Sequence, residues 1–299
     1  MPVSQGSNFS VGIQEEVTYG VAPVSPALVE LNVTPTFNIS PTKTLLESDA
    51  FSVTGQRLFQ RHGNKNVAGE IAFDFAPTDF DVILQGVMNN AFSSGVLKHG
   101  TGLKSYHLEA RYTDVGQYGL YKGLVFNQVS LNIGLDAIIK GSGSVIAKDV
   151  VYSTTSFDAS LTASAKNAPY TGFEATVAWN GSNLKATAIT LTINNNLSSN
   201  FTLGANTLDS ISKGFIGVEG TFETYFENRT TLDAFLNETE GDLVITVDNG
   251  TVSYEFAMLK TKLNSAELSV GGQTAIMVSS SFKSTYDSTE ATTLKITKA

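Results

Sequence analysis

The sequence contains no cysteine. That excludes a disulfide scaffold, a thiolate-bound metal and a cysteine nucleophile. It has little charge: Asp, Glu, Lys and Arg make up 16% of residues, where about a quarter is usual. The charge present leans acidic, 28 acidic to 19 basic residues for a net −9. Wrapping nucleic acid tightly needs clustered cations that displace counterions from phosphates, and this balance opposes it. The one basic cluster, Arg57, Arg61, His62 and Lys65, lies in a single Gly-, Asn- and Gln-bearing segment. No apolar run approaches ~18 residues, so no membrane-spanning helix is expected. Met1–Ser10 is polar and lacks the basic and apolar regions of a secretory leader, so none is expected. The three histidines, His62, His99 and His107, have no metal-ligand spacing. There is no G-x-S-x-G elbow. Gly141-Ser142-Gly143-Ser144 has no phosphate-binding Lys and reads as a hairpin turn. The expectation is therefore a protein that is not an enzyme, with no catalytic residue, no cofactor and no metal.

What is present is apolar material in a Ser-, Thr- and Asn-rich chain, 41% hydrophobic over 299 residues. That length suits one large all-β domain or two ordinary ones. Most segments alternate apolar and polar residues with period two. Val67–Phe75, Tyr121–Ile133, Leu184–Asn194, Val218–Phe226 and Ala275–Phe282 read as strands with one apolar face. Asp248-Asn249-Gly250 and Asn180-Gly181 are hairpin cues, and Gly271-Gly272 and Gly141–Gly143 mark further turns.

Helical spacing stands out once, at Phe80, Ile83, Leu84, Val87 and Met88. Thr78 is the expected N-cap, Asp79 and Asp81 suit the helix N-terminus, and Asn89-Asn90 end the helix. Leu232, Phe235 and Leu236 are a shorter echo, with Asn228, Thr230 and Thr231 as cap candidates. The echo belongs to an internal duplication. The strand Val67–Phe75 and the helix residues Asp81–Leu84 recur as Val218–Phe226 and Asp233–Leu236, about half the chain later. Three strand-like segments follow each helix: Tyr106–Asp114, Tyr121–Leu135 and Val145–Ser153, then Leu243–Val247, Thr251–Leu268 and Thr274–Tyr286. A long polar segment precedes each unit, Thr42–Asn66 and Asn194–Gly214. The expected organisation is an N-terminal arm over 1–29, a first module over 30–160 and a second over 161–299. The fold class is mainly β, sandwich- or barrel-like modules each flanked by an α-helix, in tandem duplication. Two similar modules place equivalent surfaces around an axis, as ring assemblies require. Trp179 with Phe173 has the makings of a sugar platform, but a strand Trp is more often core.

Four stretches resemble the major tail tube proteins of long-tailed, siphovirus-like bacteriophages. They are Gly12–Pro23, with Glu15-Glu16-Val17-Thr18-Tyr19-Gly20 at its centre; Gly69–Leu84, with Pro77; Ile189–Asn196; and Lys213–Phe222. Val17 departs from the Thr or Ser usual there. The resemblance implies sheets that join across subunits into a β-tube, with rings stacked through long loops and terminal arms. For a duplicated member it implies trimeric rings of pseudo-sixfold symmetry. It implies self-association, a tape measure protein inside the tube, and tail terminator and distal tail or baseplate proteins at its ends. It implies passage of genomic DNA without specific binding, no membrane, and a place in the virion tail after assembly in the host bacterial cytoplasm.

On this reading an acidic lumen repels phosphates over ~8–10 Å at physiological salt. Glu70, Asp74, Asp114, Glu219 and Glu223 are the lumen-lining candidates. The long segments hold apolar residues that a free loop would not expose, which marks interfaces. Leu45, Leu46, Phe51, Arg57, Leu58, Phe59, Arg61, Phe201, Leu203 and Leu208 are the inter-ring or inter-subunit candidates, with Arg57 and Arg61 facing carboxylates of the next ring. The arm Met1–Pro26 is expected to reach a neighbour or to order on assembly. The alternatives are a secreted carbohydrate-binding or adhesin-type β-domain, a glycoside hydrolase using paired carboxylates such as Glu70 and Asp74, and a tail sheath or head protein.

Overall fold

A computed structural model describes residues 3–270 and 275–299. The first half comprises β1 (Phe9–Glu15), β2 (Val29–Leu31), β3 (Ser40–Glu47), β4 (Gln60–Asp74), α1 (Asp81–Met88), β5 (Val96–Lys98), β6 (Tyr106–Tyr112), β7 (Gln117–Gly134), β8 (Lys140–Ala147) and β9 (Asp149–Ser153). Its strands pair antiparallel in the order β3–β4–β8–β7. The long β7 then bends, and its N-terminal half pairs with β6 and β9, while β6 leads on to β1 and β2. α1 packs on β7. Phe80, Ile83, Leu84, Val87 and Met88 are all buried, and Phe80 stacks on Phe73 with ring centroids 4.5 Å apart. Each such side chain contributes roughly 1.5–3 kcal/mol by leaving water.

The second half comprises β10 (Ala175–Trp179), β11 (Ser182–Leu184), β12 (Ala186–Asn194), β13 (Ser198–Asn200), β14 (Ser210–Ser212), β15 (Gly217–Tyr225), α2 (Thr230–Leu236), β16 (Gly241–Asp248), β17 (Ser253–Ser269), β18 (Met277–Ser284) and β19 (Lys295–Lys298). The order of pairing is the same: β12–β15–β18–β17, then β17–β16–β10–β11, with β19 on the N-terminal half of β17 and α2 packed on β17. The likeness extends to irregularities. β7 bulges against β8 between Phe126 and Gln128, and β17 bulges against β18 between Leu263 and Ser265. The extra residue is an asparagine both times, Asn127 and Asn264.

The halves meet edge to edge. β7 and β12 pair antiparallel, Gln128 opposite Asn194 through Gly134 opposite Ala188. The result is one eight-stranded sheet, β3–β4–β8–β7–β12–β15–β18–β17. β5 also pairs with β19, and the Tyr254 hydroxyl donates to Asp81 at 2.6 Å while Lys298 pairs with the same carboxylate. Phe75, Tyr170, Tyr254 and Phe256 pack across the junction, so one apolar core runs through both halves.

Several sequence expectations need correction. Residues 9–15, expected within a free arm, form β1, with Val11 and Ile13 in the core. Thr42–Asn66 is not an open loop: β3 and β4 extend it as a projecting hairpin arm. Gly141 and Gly143 lie inside β8 rather than in a turn. Gly141 is glycine because a Cβ there would run into the Phe73 ring. Val145–Ser153 is two strands, since Lys148 turns its N–H onto the Lys122 carbonyl at 2.9 Å and the chain changes partners. Thr78 does not cap α1: it is left-handed, φ 64°, and its N–H donates to the Tyr254 hydroxyl. Asn89, at φ 52°, does end the helix. Asn180-Gly181 forms a two-residue turn with both φ positive, joining Trp179 to Ser182. Asp248-Asn249-Gly250 begins a longer connection between Asp248 and Ser253. Gly271-Gly272 lies outside the described residues.

Candidate functional site

Strand pleating sends alternate side chains to opposite faces. On the eight-stranded sheet one face is the core and the other is mostly polar, with Ile146, Tyr225 and Met277 at its margins. The polar face carries Glu70, Ala72 and Asp74 of β4, Ser142 and Ser144 of β8, and Gln128, Ser130 and Asn132 of β7. Across the junction it carries Thr190, Thr192 and Asn194 of β12, Glu219, Thr221 and Glu223 of β15, Ser279 and Ser281 of β18, and Ser265 and Glu267 of β17. Hydroxyl pairs tie neighbouring strands: Ser130 to Thr192 at 3.0 Å, Thr190 to Thr221 at 2.9 Å and Ser265 to Ser281 at 2.8 Å.

Four of the five carboxylates expected along a lumen, Glu70, Asp74, Glu219 and Glu223, fall on this face. Glu267 joins them, and the sequence reading missed it because β17 alternates weakly there. Lys140, Lys262 and Lys283 are cations on the same face; Lys283 lies opposite Lys262 and 3.4 Å from Glu219, in an exposed pair worth little. Asp114 lies elsewhere, in the turn between β6 and β7, where it accepts the Gln5 N–H at 2.6 Å and the Ser4 hydroxyl at 2.9 Å. Those bonds hold its pKa below the usual value. Among the described residues no three His, Asp or Glu side chains converge as metal ligands.

The apolar candidates divide. On the hairpin arm Leu45, Leu46, Phe51, Leu58 and Phe59 are exposed, as is Val53. Arg57 is held within the arm by Glu47 at 3.0 Å and Asp49 at 3.1 Å, whereas Arg61 makes no such pair among the described residues. The second segment folds back over the first half. The Asn195 N–H donates to the Asn127 carbonyl at 2.8 Å, and its side-chain amide donates to the carbonyls of Val87 at 2.8 Å and Phe126 at 3.1 Å. Lys213 donates to the Gly100 carbonyl at 2.8 Å. This folding already buries Leu208 and half-buries Phe201, while Leu203 stays exposed. His99 lies beneath the segment, and burial, reinforced by Lys213, pushes its pKa down to about 4.

The segment Glu16–Gly20 is a latch that sequence reading did not interpret. The buried Glu16 carboxylate accepts the N–H groups of Gly20 at 2.6 Å and Gly123 at 2.7 Å, and the Ser105 hydroxyl at 2.6 Å. His107 Nδ1 stands 2.8 Å away. Burial opposes the charge, but these bonds outweigh it and hold the Glu16 pKa below its ordinary value. Lys148 lies over the Tyr19 ring at 5.1 Å. Glu16, Tyr19 and Gly20 are thus a folding device. Trp179 is core, and Phe173, which is exposed, forms no platform with it.

A family model described as phage tail tube protein matches residues 6–284. No curated protein matches the chain.

Proposed function

The chain belongs to the phage tail tube protein family, a structural component of the virion tail, and we propose that two tail tube modules in tandem let it polymerise as stacked trimeric rings of pseudo-sixfold symmetry. The tube is that of a long-tailed, siphovirus-like phage, and its acid-bearing lumen conducts DNA during ejection. The observation that carries this reading is the eight-stranded sheet, whose polar face bears five carboxylates and whose two edges pair with nothing among the described residues. The matched strand order and the paired bulges at Asn127 and Asn264 support the tandem modules.

The mechanism is mechanical and electrostatic. Hydroxyl and amide side chains already paired with one another offer few free donors to phosphate. The carboxylates of Glu70, Asp74, Glu219, Glu223 and Glu267 repel it within a Debye length of ~8–10 Å. The exposed apolar arm, Leu45 to Phe59, meets the next ring, as does Leu203. A tape measure protein fills the tube before DNA does, and tail terminator and distal tail or baseplate proteins close its ends. Assembly takes place in the host cytoplasm. Negative-stain electron microscopy of the concentrated protein tests this. Rings or tubes with a central channel, threefold in mass and near-sixfold in projection, are expected. Rings of six whole chains would refute the tandem-module stoichiometry.

A further inference from the structure

The eight-stranded sheet has two edges that pair with nothing among the described residues: the outer edge of β3, and the edge of β17 from Lys262 to Ser269. Between them lies the β7–β12 junction, where the same two kinds of strand already meet inside one chain. β17 corresponds to β7, because both carry the asparagine bulge, which aligns Asn264 with Asn127 and Glu267 with Ser130. β3, with the residues just before it, corresponds to β12. Here Gly69 and Gly220 align, since a Cβ on either would strike the neighbouring strand at the Asn38 or the Thr190 carbonyl. That matches Ser40 with Thr192 and Thr42 with Asn194.

From this, and resting on the ring reading above, we infer that the contact between neighbouring chains copies the internal junction residue for residue. The β17 edge takes the β3 edge of a second copy, antiparallel, with Ser40 opposite Glu267, Thr42 opposite Ser265 and Lys43 at the Asn264 bulge. The occupant is a second copy because the matching edge is on this same chain. A head-to-tail contact of this kind closes a ring when its rotation closes.

Burial supports the match. Leu131 and Ile133, which the internal junction covers, are 3% and 6% exposed. Their counterparts Leu268 and Val270 are 49% and 69% exposed. The side chains that would face them are Phe37, Ile39 and Pro41. The polar face continues unbroken, with the Ser40 hydroxyl donating to the Glu267 carboxylate where Ser130 now meets Thr192. The copy differs from its template at two main places: Lys43 takes the place of Asn195, and Pro41 interrupts the ladder. Pro41 stands where Ile193 stands, and without an N–H it leaves the Ala266 carbonyl one donor short. The Ile39 carbonyl already accepts the Tyr121 hydroxyl at 2.8 Å and has a second lone pair for Leu268.

Ser40 and Glu267 form a non-hydrogen-bonded pair in this register, with Cα atoms ~4.5 Å apart, which a disulfide spans. The chain has no cysteine of its own. The experiment oxidises assembled Ser40→Cys/Glu267→Cys protein and runs it on a non-reducing gel beside Thr42→Cys/Ser265→Cys and the off-register Ser40→Cys/Ser269→Cys. An internal Ser130→Cys/Thr192→Cys variant confirms that such a pair closes in this sheet. Covalent rings, reducible to single chains, are expected from the first two variants and not from the third. Tubes that form while only the off-register pair links overturn the register and leave the ring reading standing. Tubes in which none of the three pairs links overturn the edge pairing. Wild-type protein that forms no ring or tube at any concentration, with no cross-link in any variant, overturns both.

Discussion

Asn195 is the strongest single test of how the two halves hold together. Its side chain is fully buried and bonds the carbonyls of Val87, at the end of α1, and Phe126, just before the β7 bulge. In Asn195→Ala both carbonyls lose a buried donor. The Val87 oxygen keeps a longer bond from Asn89 Nδ2 at 3.2 Å, so its loss is at the low end. An orphaned buried acceptor costs ~1–3 kcal/mol. The two losses, with the small void, come to roughly 2–4 kcal/mol. Unfolding entropy for a chain this long is about 0.6 kcal/mol per kelvin, so the midpoint should fall by ~3–6 °C. Asn195→Asp should cost more, because a carboxylate would face two carbonyls. Thr192→Ala, three residues away on the polar face, should cost less than ~1 kcal/mol. Circular dichroism melts with urea titrations measure all three. An Asn195→Ala loss no larger than that of Thr192→Ala would refute the claim that this amide ties the folded-back segment to the first half.

Three further outcomes follow from the packing and charge. His99 has a folded pKa of about 4 against 6.5 unfolded, so its contribution is intact above pH 6.5 and is lost as pH falls toward 4; urea titrations across that range should show a decline of about 3 kcal/mol that His99→Gln removes. Gly141→Ala should destabilise by ~1–3 kcal/mol through the Phe73 ring, whereas Gly143→Ala, whose Cβ would stand 3.4 Å from Phe126, should lose clearly less in the same titration. Glu219→Lys with Glu223→Lys should leave monomer stability within ~1 kcal/mol, since both side chains are exposed, while complemented particles with full-length tails should release DNA more slowly. Unchanged release would remove the electrostatic role of the polar face.

Where a strand buries one face within its own chain, its pattern was readable. Val67 to Asp74 keeps a period of two, interrupted only at Gly69, because Val67, Ile71 and Phe73 are core, and the turn at Asn180-Gly181 announces itself by chemistry. Where burial awaits another surface, the pattern fades. Every residue of β3 is exposed in the single chain, so nothing distinguished it from a loop. Phe9–Glu15 is the exception: Val11 and Ile13 alternate with Ser10, Gly12 and Gln14 and are buried within the chain, but the run is short and set in a polar, proline-bearing stretch. Gly141 and Gly143 looked like turn punctuation because the ring that excludes a Cβ at Gly141 comes from β4, distant in sequence. Even spacing puts Glu70 with Asp74 and Glu219 with Glu223 on one side of their strands, but which side is open was not legible in the sequence, and Asp114 falls in a turn because its strand ends at Tyr112.

The pairing of β19 with β5 also sets an order of events. Asp81 at the head of α1 meets Tyr254 and Lys298, and among the described residues Val96–Lys98 has no strand partner but Lys295–Thr297. The first half therefore cannot complete its own helix terminus until residue 298 has been synthesised. Contacts of such sequence separation form late. A nascent first half would carry its projecting arm and yet lack the β17 edge that a neighbour's arm would seek. On the edge pairing inferred above, such a half offers an arm but no edge to receive one, so the contact waits for β17 and β18.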